Sequence, residues 1–115
     1  MSIELSPHHF SQRDEAIAEI NSDGLRCLET EISPDQLARE AHAHPYSVDI
    51  YMLEGELELY EPDTGRTHRL EVGTKAVVPA QTLHKEFTPA GFRAVVGLSH
   101  DPGMLESSST TRVVS

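Results

Sequence analysis

The chain has 115 residues, enough for one domain with a single compact core. Nineteen acidic residues against nine basic ones give a net charge of −10, which argues against nucleic acid and anionic membranes as partners, since both require a positive face. With no tryptophan, three tyrosines and three phenylalanines, the core is expected to be mostly aliphatic.

Residues 1–25 read as a lead-in and one short helix. Glu4, Asp14, Glu15 and Glu19 fall in the first twenty residues with no apolar run between them, so no secretory signal is expected there. Ser11-Gln12-Arg13-Asp14 has the form of a capping box, with Ser11 at the N-cap. Ala16, Ile17 and Ile20 follow at helical spacing and Gly24 is placed as the stop, which predicts a helix over about residues 12–22. Cys27 is the only cysteine, so no internal disulfide forms. A lone thiol suits a reducing compartment. No apolar stretch approaches the roughly 20 residues needed to cross a bilayer, and a soluble, cytoplasmic protein is expected.

From residue 26 to 100 the period changes to two, as in strands. Leu28, Thr30 and Ile32 alternate with Cys27, Glu29 and Glu31, and Val48, Ile50 and Met52 with Asp49, Tyr51 and Leu53. Phe92, Ala94, Val96 and Leu98 form another alternating set. Turn signals separate them: Ser33-Pro34-Asp35, Glu54-Gly55, Val72-Gly73 and Pro89-Ala90-Gly91. Pro62-Asp63-Thr64-Gly65 is the clearest hairpin turn, joining Leu57–Glu61 to Arg66–Leu70. Short strands punctuated in this way predict an all-β sandwich or barrel. Residues 101–115 are expected to be a flexible tail, rich in serine and threonine from Glu106. The β-branched Val113-Val114 pair suits the alternative, a strand added to the sheet edge of a partner.

His42 and His44 lie at i and i+2, hence on one face of an extended segment. Gly73, a strand, the Pro79 bend and His84 follow, so a strand through His84, Glu86 and Thr88 can lie against the His42–His44 segment. Three imidazoles meeting in a barrel mouth make a site for a divalent transition metal.

These motifs resemble those of a small single-domain cupin. That family's first motif is His-x-His, three or four residues, a glutamate, and a glycine after the next strand. It is matched here by His42-Ala43-His44 and Gly55, with YMLEGELEL as the strand run. The second motif is glycine, five residues, Pro-x-Gly, two residues and histidine, and it is matched by Gly73, Pro79-Ala80-Gln81 and His84. Glutamine replaces its second glycine. The resemblance covers about residues 26–98 and implies a jelly-roll β-barrel preceded by the short helix. It also implies a homodimer, a small-molecule ligand, and Fe(II), Zn, Ni, Mn or Co held by His42, His44 and His84.

The family's glutamate position falls on Val48. Asp49 is one residue away, and in a regular strand it points outward unless a bulge after Pro45 turns it. A three-histidine centre keeps the full charge of its ion and favours an anionic chelating ligand, as in the iron dioxygenases of the family. A non-catalytic binding or sensor module is the second expectation, and a sugar-acid isomerase or lyase the third. Glu86, on the same face as His84, is a candidate general base or a carboxylate that orients a ligand histidine. Tyr46 can line the cavity and is the second candidate catalytic group. Gln81 is a turn residue or an amide donor to a ligand. Met52, Phe87 and Phe92 are expected in the core or cavity wall, and Arg39 and Arg93 at the surface or on a substrate carboxylate. His8, His9, His68 and His100 lack partners at ligand spacing and are expected in solvent.

Overall fold

The computed structural model describes residues 3–33, 41–99 and the strand 110–113. The chain runs β1 (Glu4–Ser6), α1 (Arg13–Ser22), β2 (Arg26–Ile32), β3 (Val48–Gly55), β4 (Leu57–Glu61), β5 (Arg66–Leu70), β6 (Lys75–Val78), β7 (Lys85–Phe87), β8 (Phe92–Leu98) and β9 (Thr110–Val113). Two sheets form, one with the order β1-β6-β3-β8-β2-β9 and a smaller one with the order β5-β4-β7. The pairings are antiparallel, and the two sheets face each other without closing into a continuous barrel.

Period-two patterning explains the filling. Met52 of β3, Ala76 and Val78 of β6, and Phe92 and Ala94 of β8 point inward from the large sheet. They meet Leu57 and Leu59 of β4 and Leu70 of β5 in one buried cluster. The outer face of the large sheet is covered too. Ala16 and Ile20 of α1 pack on Cys27, Tyr51 and Val95, the residues of opposite parity. This double coverage is why four consecutive residues of β2, Cys27 to Thr30, are buried. A third cluster, Leu28, Tyr46, Val96 and Leu98, fills the inner face where the segment before β3 enters.

Gly55 ends β3 with φ near +80°. A side chain there would meet the backbone of Gly91 and sit 2.9 Å from Phe92 Cα, so both turn geometry and close strand approach require glycine.

Several expectations are corrected. The helix cap is Gln12, not Ser11: the Glu15 carboxylate accepts from the Gln12 and Ser11 backbone N–H groups at 2.8 and 3.0 Å, and from Ser11 Oγ–H. Strand β1 was not expected. It pairs with β6, and Ile3 N–H donates to the buried Glu61 carboxylate at 3.1 Å. Residues 110–113, expected within a flexible tail, form β9 along the edge of β2 in the same chain. Phe87 is not core: it is 58% exposed, because Glu86 takes the inward position of β7. His68 is not in solvent, since its ring is largely buried and its Nε2 lies 2.6 Å from Glu61 Oε1. His9 is paired as well, with Glu19 at 2.9 Å. His100 and Arg39 lie outside the described residues.

Candidate metal centre

Two backbone bonds set the centre. His42 and His84 face each other as an antiparallel bridge, with His42 N–H donating to the His84 carbonyl at 2.8 Å and His84 N–H to the His42 carbonyl at 2.9 Å. A directly opposed hydrogen-bonded pair projects both side chains to one face. Gln81 N–H donates to the His44 carbonyl at 2.7 Å, which fastens the Pro79 bend to the first histidine segment. Gln81 holds this bend with φ near +64°, the left-handed conformation for which the related motif uses glycine.

The result is a group of three. Ligand atoms of His42, His44 and His84 all lie within 4.8 Å of one another. Ring centroids are 4.6 Å apart for His42 and His84, 5.0 Å for His42 and His44, and 5.6 Å for His44 and His84. His84 is buried and its tautomer is fixed: Nδ1 lies 2.9 Å from the Thr82 carbonyl, which can only accept, so Nδ1 carries the proton. Nε2 is then the coordinating nitrogen. A backbone carbonyl on the far nitrogen is the usual orienting partner of a metal-bound histidine. The donor set therefore fits a divalent transition metal.

Tyr46 is 2% exposed and its ring stacks on His44 at 4.9 Å and 12°. The phenol ring is a wall that orients His44. Val48 and Ile50, both half-buried, pack against Tyr46, Leu28 and Leu98.

Glu86 comes from β7, where it is paired with the inward Leu59 of β4. Its Oε1 lies 3.0 Å from His42 Nε2 and 3.8 Å from His84 Nε2. Burial alone would raise this carboxyl. The hydrogen bond from His42 and the neighbouring imidazoles outweigh it and hold Glu86 below the usual carboxylate range.

Asp49 is not part of the centre. Strand β3 is regular from Val48 to Met52 against β8, and its one irregularity falls between Met52 and Glu54. Asp49 therefore points outward, 3.9 Å from Lys75. Arg93 is likewise remote from the histidines, bound to Glu54 and Glu29. A cleft of about 700 Å³ on that outer side is lined by Phe10, Arg13, Glu54, Val72 and Arg93, among others, and contains none of the three histidines. Glu61, which sequence reasoning did not single out, and His68, which it placed in solvent, form their own pair between the sheets beneath β1.

No family model matches the chain, and no curated protein does. Solved structures do. A DUF861 family protein from Thermotoga maritima superposes with a TM-score of 0.58 at 16% identity, over 84% of this chain and 99% of that one. The polyketide cyclase RemF from Streptomyces resistomycificus superposes with a TM-score of 0.53 at 28% identity, over 82% of this chain. The match spans 65% of the cyclase, just under two thirds of its length. Both are cupin-type folds, and the chain described here has that fold: a mostly β jelly roll with, among the described residues, one short helix and a group of three histidines.

Proposed function

We propose that the protein is a metal-dependent cupin that binds a small anionic molecule at a divalent transition metal held by His42, His44 and His84, and acts on it as an enzyme. The observation that carries this reading is the histidine group itself, with three imidazoles inside 4.8 Å and the His84 tautomer set so that Nε2 faces the others. When bound, such a metal would polarise a carbonyl or enolate oxygen.

The chain's own residues do the rest. Thr82 and Tyr46 orient two of the rings. Half-buried Val48 and Ile50, packed against the Tyr46 ring that stacks on His44, supply apolar surface on that side of the centre. They suit a molecule with a carbon skeleton on one side and a charged, oxygen-bearing end at the histidines. The structural neighbour at 28% identity is named as a polyketide cyclase. Acyclic or aromatic β-dicarbonyl compounds, which form enolates, are therefore the substrate class we favour. Glu86 is the carboxylate beside the histidines.

The three-histidine set also fits an iron dioxygenase working on the same enolates, so the test has two arms. Metal content of the purified protein is measured by elemental analysis, and β-dicarbonyl compounds are then screened for turnover with and without oxygen in the cell. One metal per chain, lost in His42→Ala and His84→Ala, with turnover under nitrogen, is the expected result. Oxygen uptake in step with turnover would select the dioxygenase. Metal binding with no turnover of any β-dicarbonyl would leave a binding module. Metal content unchanged by the two alanine variants would overturn the assignment.

A further inference from the structure

In a chain whose β3 supplies no acid to the site, the placement of Glu86 beside the histidines has a chemical reading, which rests on the metal-binding proposal above. We infer that Glu86 is a fourth ligand to the metal, supplied from β7, and that it is not the general base of the site.

Register excludes β3 as the source. Val48 and Ile50 hold its inward positions, and Asp49 faces Lys75 on the other side of the sheet. On β7 the parity is reversed in favour of an acid. His84 and Glu86 are two residues apart, so both point to the inner face, and the Leu59–Glu86 pairing fixes that orientation.

The distances have a specific meaning. Donor atoms about 2.1 Å from one ion sit roughly 3.0 Å apart at right angles and about 3.4 Å apart in a tetrahedron. Glu86 Oε1 is 3.0 Å from His42 Nε2, at ligand-to-ligand spacing, and 3.8 Å from His84 Nε2, somewhat beyond it, so a single oxygen faces two imidazole nitrogens. A carboxylate oxygen accepts only, so without a metal the His42 Nε2 proton lies between it and the ring. A bound ion would take the place of that proton.

A general base is arranged differently. It needs its oxygen directed at substrate, one hydrogen bond away from the atom that loses the proton. Here the oxygen nearest the centre is directed at the two ring nitrogens instead. The consequence reaches the substrate. A carboxylate ligand lowers the net charge of a divalent centre from +2 to +1, and four protein donors leave a six-coordinate ion two positions. That selects a ligand that chelates through two oxygens over one that binds through a single atom.

Cobalt(II) is the probe, added to the full chain freed of metal. Its visible bands report coordination number and ligand type independently of any turnover. Wild type is expected to bind one Co(II) per chain. Glu86→Gln, which keeps the shape and removes the charge, is expected to weaken binding at least 30-fold and to change the intensity and position of the bands. Glu86→Gln within threefold of wild type, with the same spectrum, would overturn the ligand assignment and leave the three-histidine reading standing. If wild type binds no Co(II), or His42→Ala binds it as well as wild type, the metal-binding reading beneath it fails.

Discussion

Glu19 is the acid through which α1 is tied to the sheet, and its removal should cost stability in a pH-dependent way. Its carboxylate accepts from Tyr51 Oη–H at 2.6 Å and Lys75 Nζ at 2.7 Å, and meets His9 Nε2 at 2.9 Å. Burial raises its pKa, but the hydrogen bonds from Lys75, Tyr51 and His9 dominate and bring it down from 4.5 to about 2. The difference of 2.5 units would correspond to roughly 3.4 kcal/mol if the site were dry. The side chain is 35% exposed, so solvent screening reduces this to about 1–1.5 kcal/mol. Asp49 trims it further. Burial first, and then the charges of Asp23 and Glu19, raise its pKa against the pull of Lys75, so removing the Glu19 charge relieves Asp49. A depressed acid contributes stability above its unfolded pKa and loses it as the pH falls through the folded one. Glu19→Gln should therefore be less stable than wild type by about 1 kcal/mol at pH 7, and the gap should close between about pH 4.5 and pH 2. The chain has no tryptophan, so urea unfolding is followed by circular dichroism. With a slope of roughly 1–1.5 kcal/mol/M, the midpoint should move by somewhat under 1 M at pH 7. Equal midpoints at pH 7, or a gap that widens on acidification, would refute this account of the helix attachment.

Three further outcomes follow from the packing. Gly55→Ala should destabilise by about 3 kcal/mol or more, since it adds backbone collision with Gly91 and Phe92 to the roughly 1–2 kcal/mol of a left-handed residue. Thermal melting checks it, and a loss of only a degree or two would contradict the close approach. Gln81→Gly should raise the melting temperature, with a gain of up to about 1 kcal/mol from relieving φ near +64°. Glu61→Ala should cost about 2–3 kcal/mol because it leaves the Ile3 N–H and the His68 ring without their shared carboxylate. Hydrogen exchange should quicken first in β1.

Much of this fold is legible in the chain. The β4–β5 hairpin has the bounds that the Pro62–Gly65 turn implies, and the inward sets of β3 and β8 are the alternating apolar residues. The three histidines are legible as well, because two of them share a strand face and the third follows a bend marked by Gly73 and Pro79. What escaped has physical reasons. Strand β1 is three residues long, too short to show a period. Strand β9 lies in a stretch whose serines and threonines read as solvent-loving, and its pairing comes from the edge that β2 offers. Parity could have found two other features. Glu61 is in phase with Leu57 and Leu59, and His68 with Leu70, so both had to point inward and find a partner. Phe87 is out of phase with His84 and Glu86, so it had to point outward.

The same parity explains why an acid reaches the histidines from β7 and not from β3. Bringing residue 49 inward along β3 would need a slip of one residue, which turns Ile50 and Met52 away from the inner cluster and Tyr51 away from its place under α1. Substitution at an already inward position costs nothing of that kind. Residue 86 is such a position, two residues beyond a ligand and next in line on the strand that His42 bridges. It places its oxygen at the cluster without altering any pairing in either sheet. Val48 is then free to be apolar and to extend the wall begun by Tyr46, which enlarges the apolar side of the site. Parity thus puts the acid on β7 and an apolar residue at position 48, so a carboxylate lies beside the histidines while the inward residue of β3 stays aliphatic.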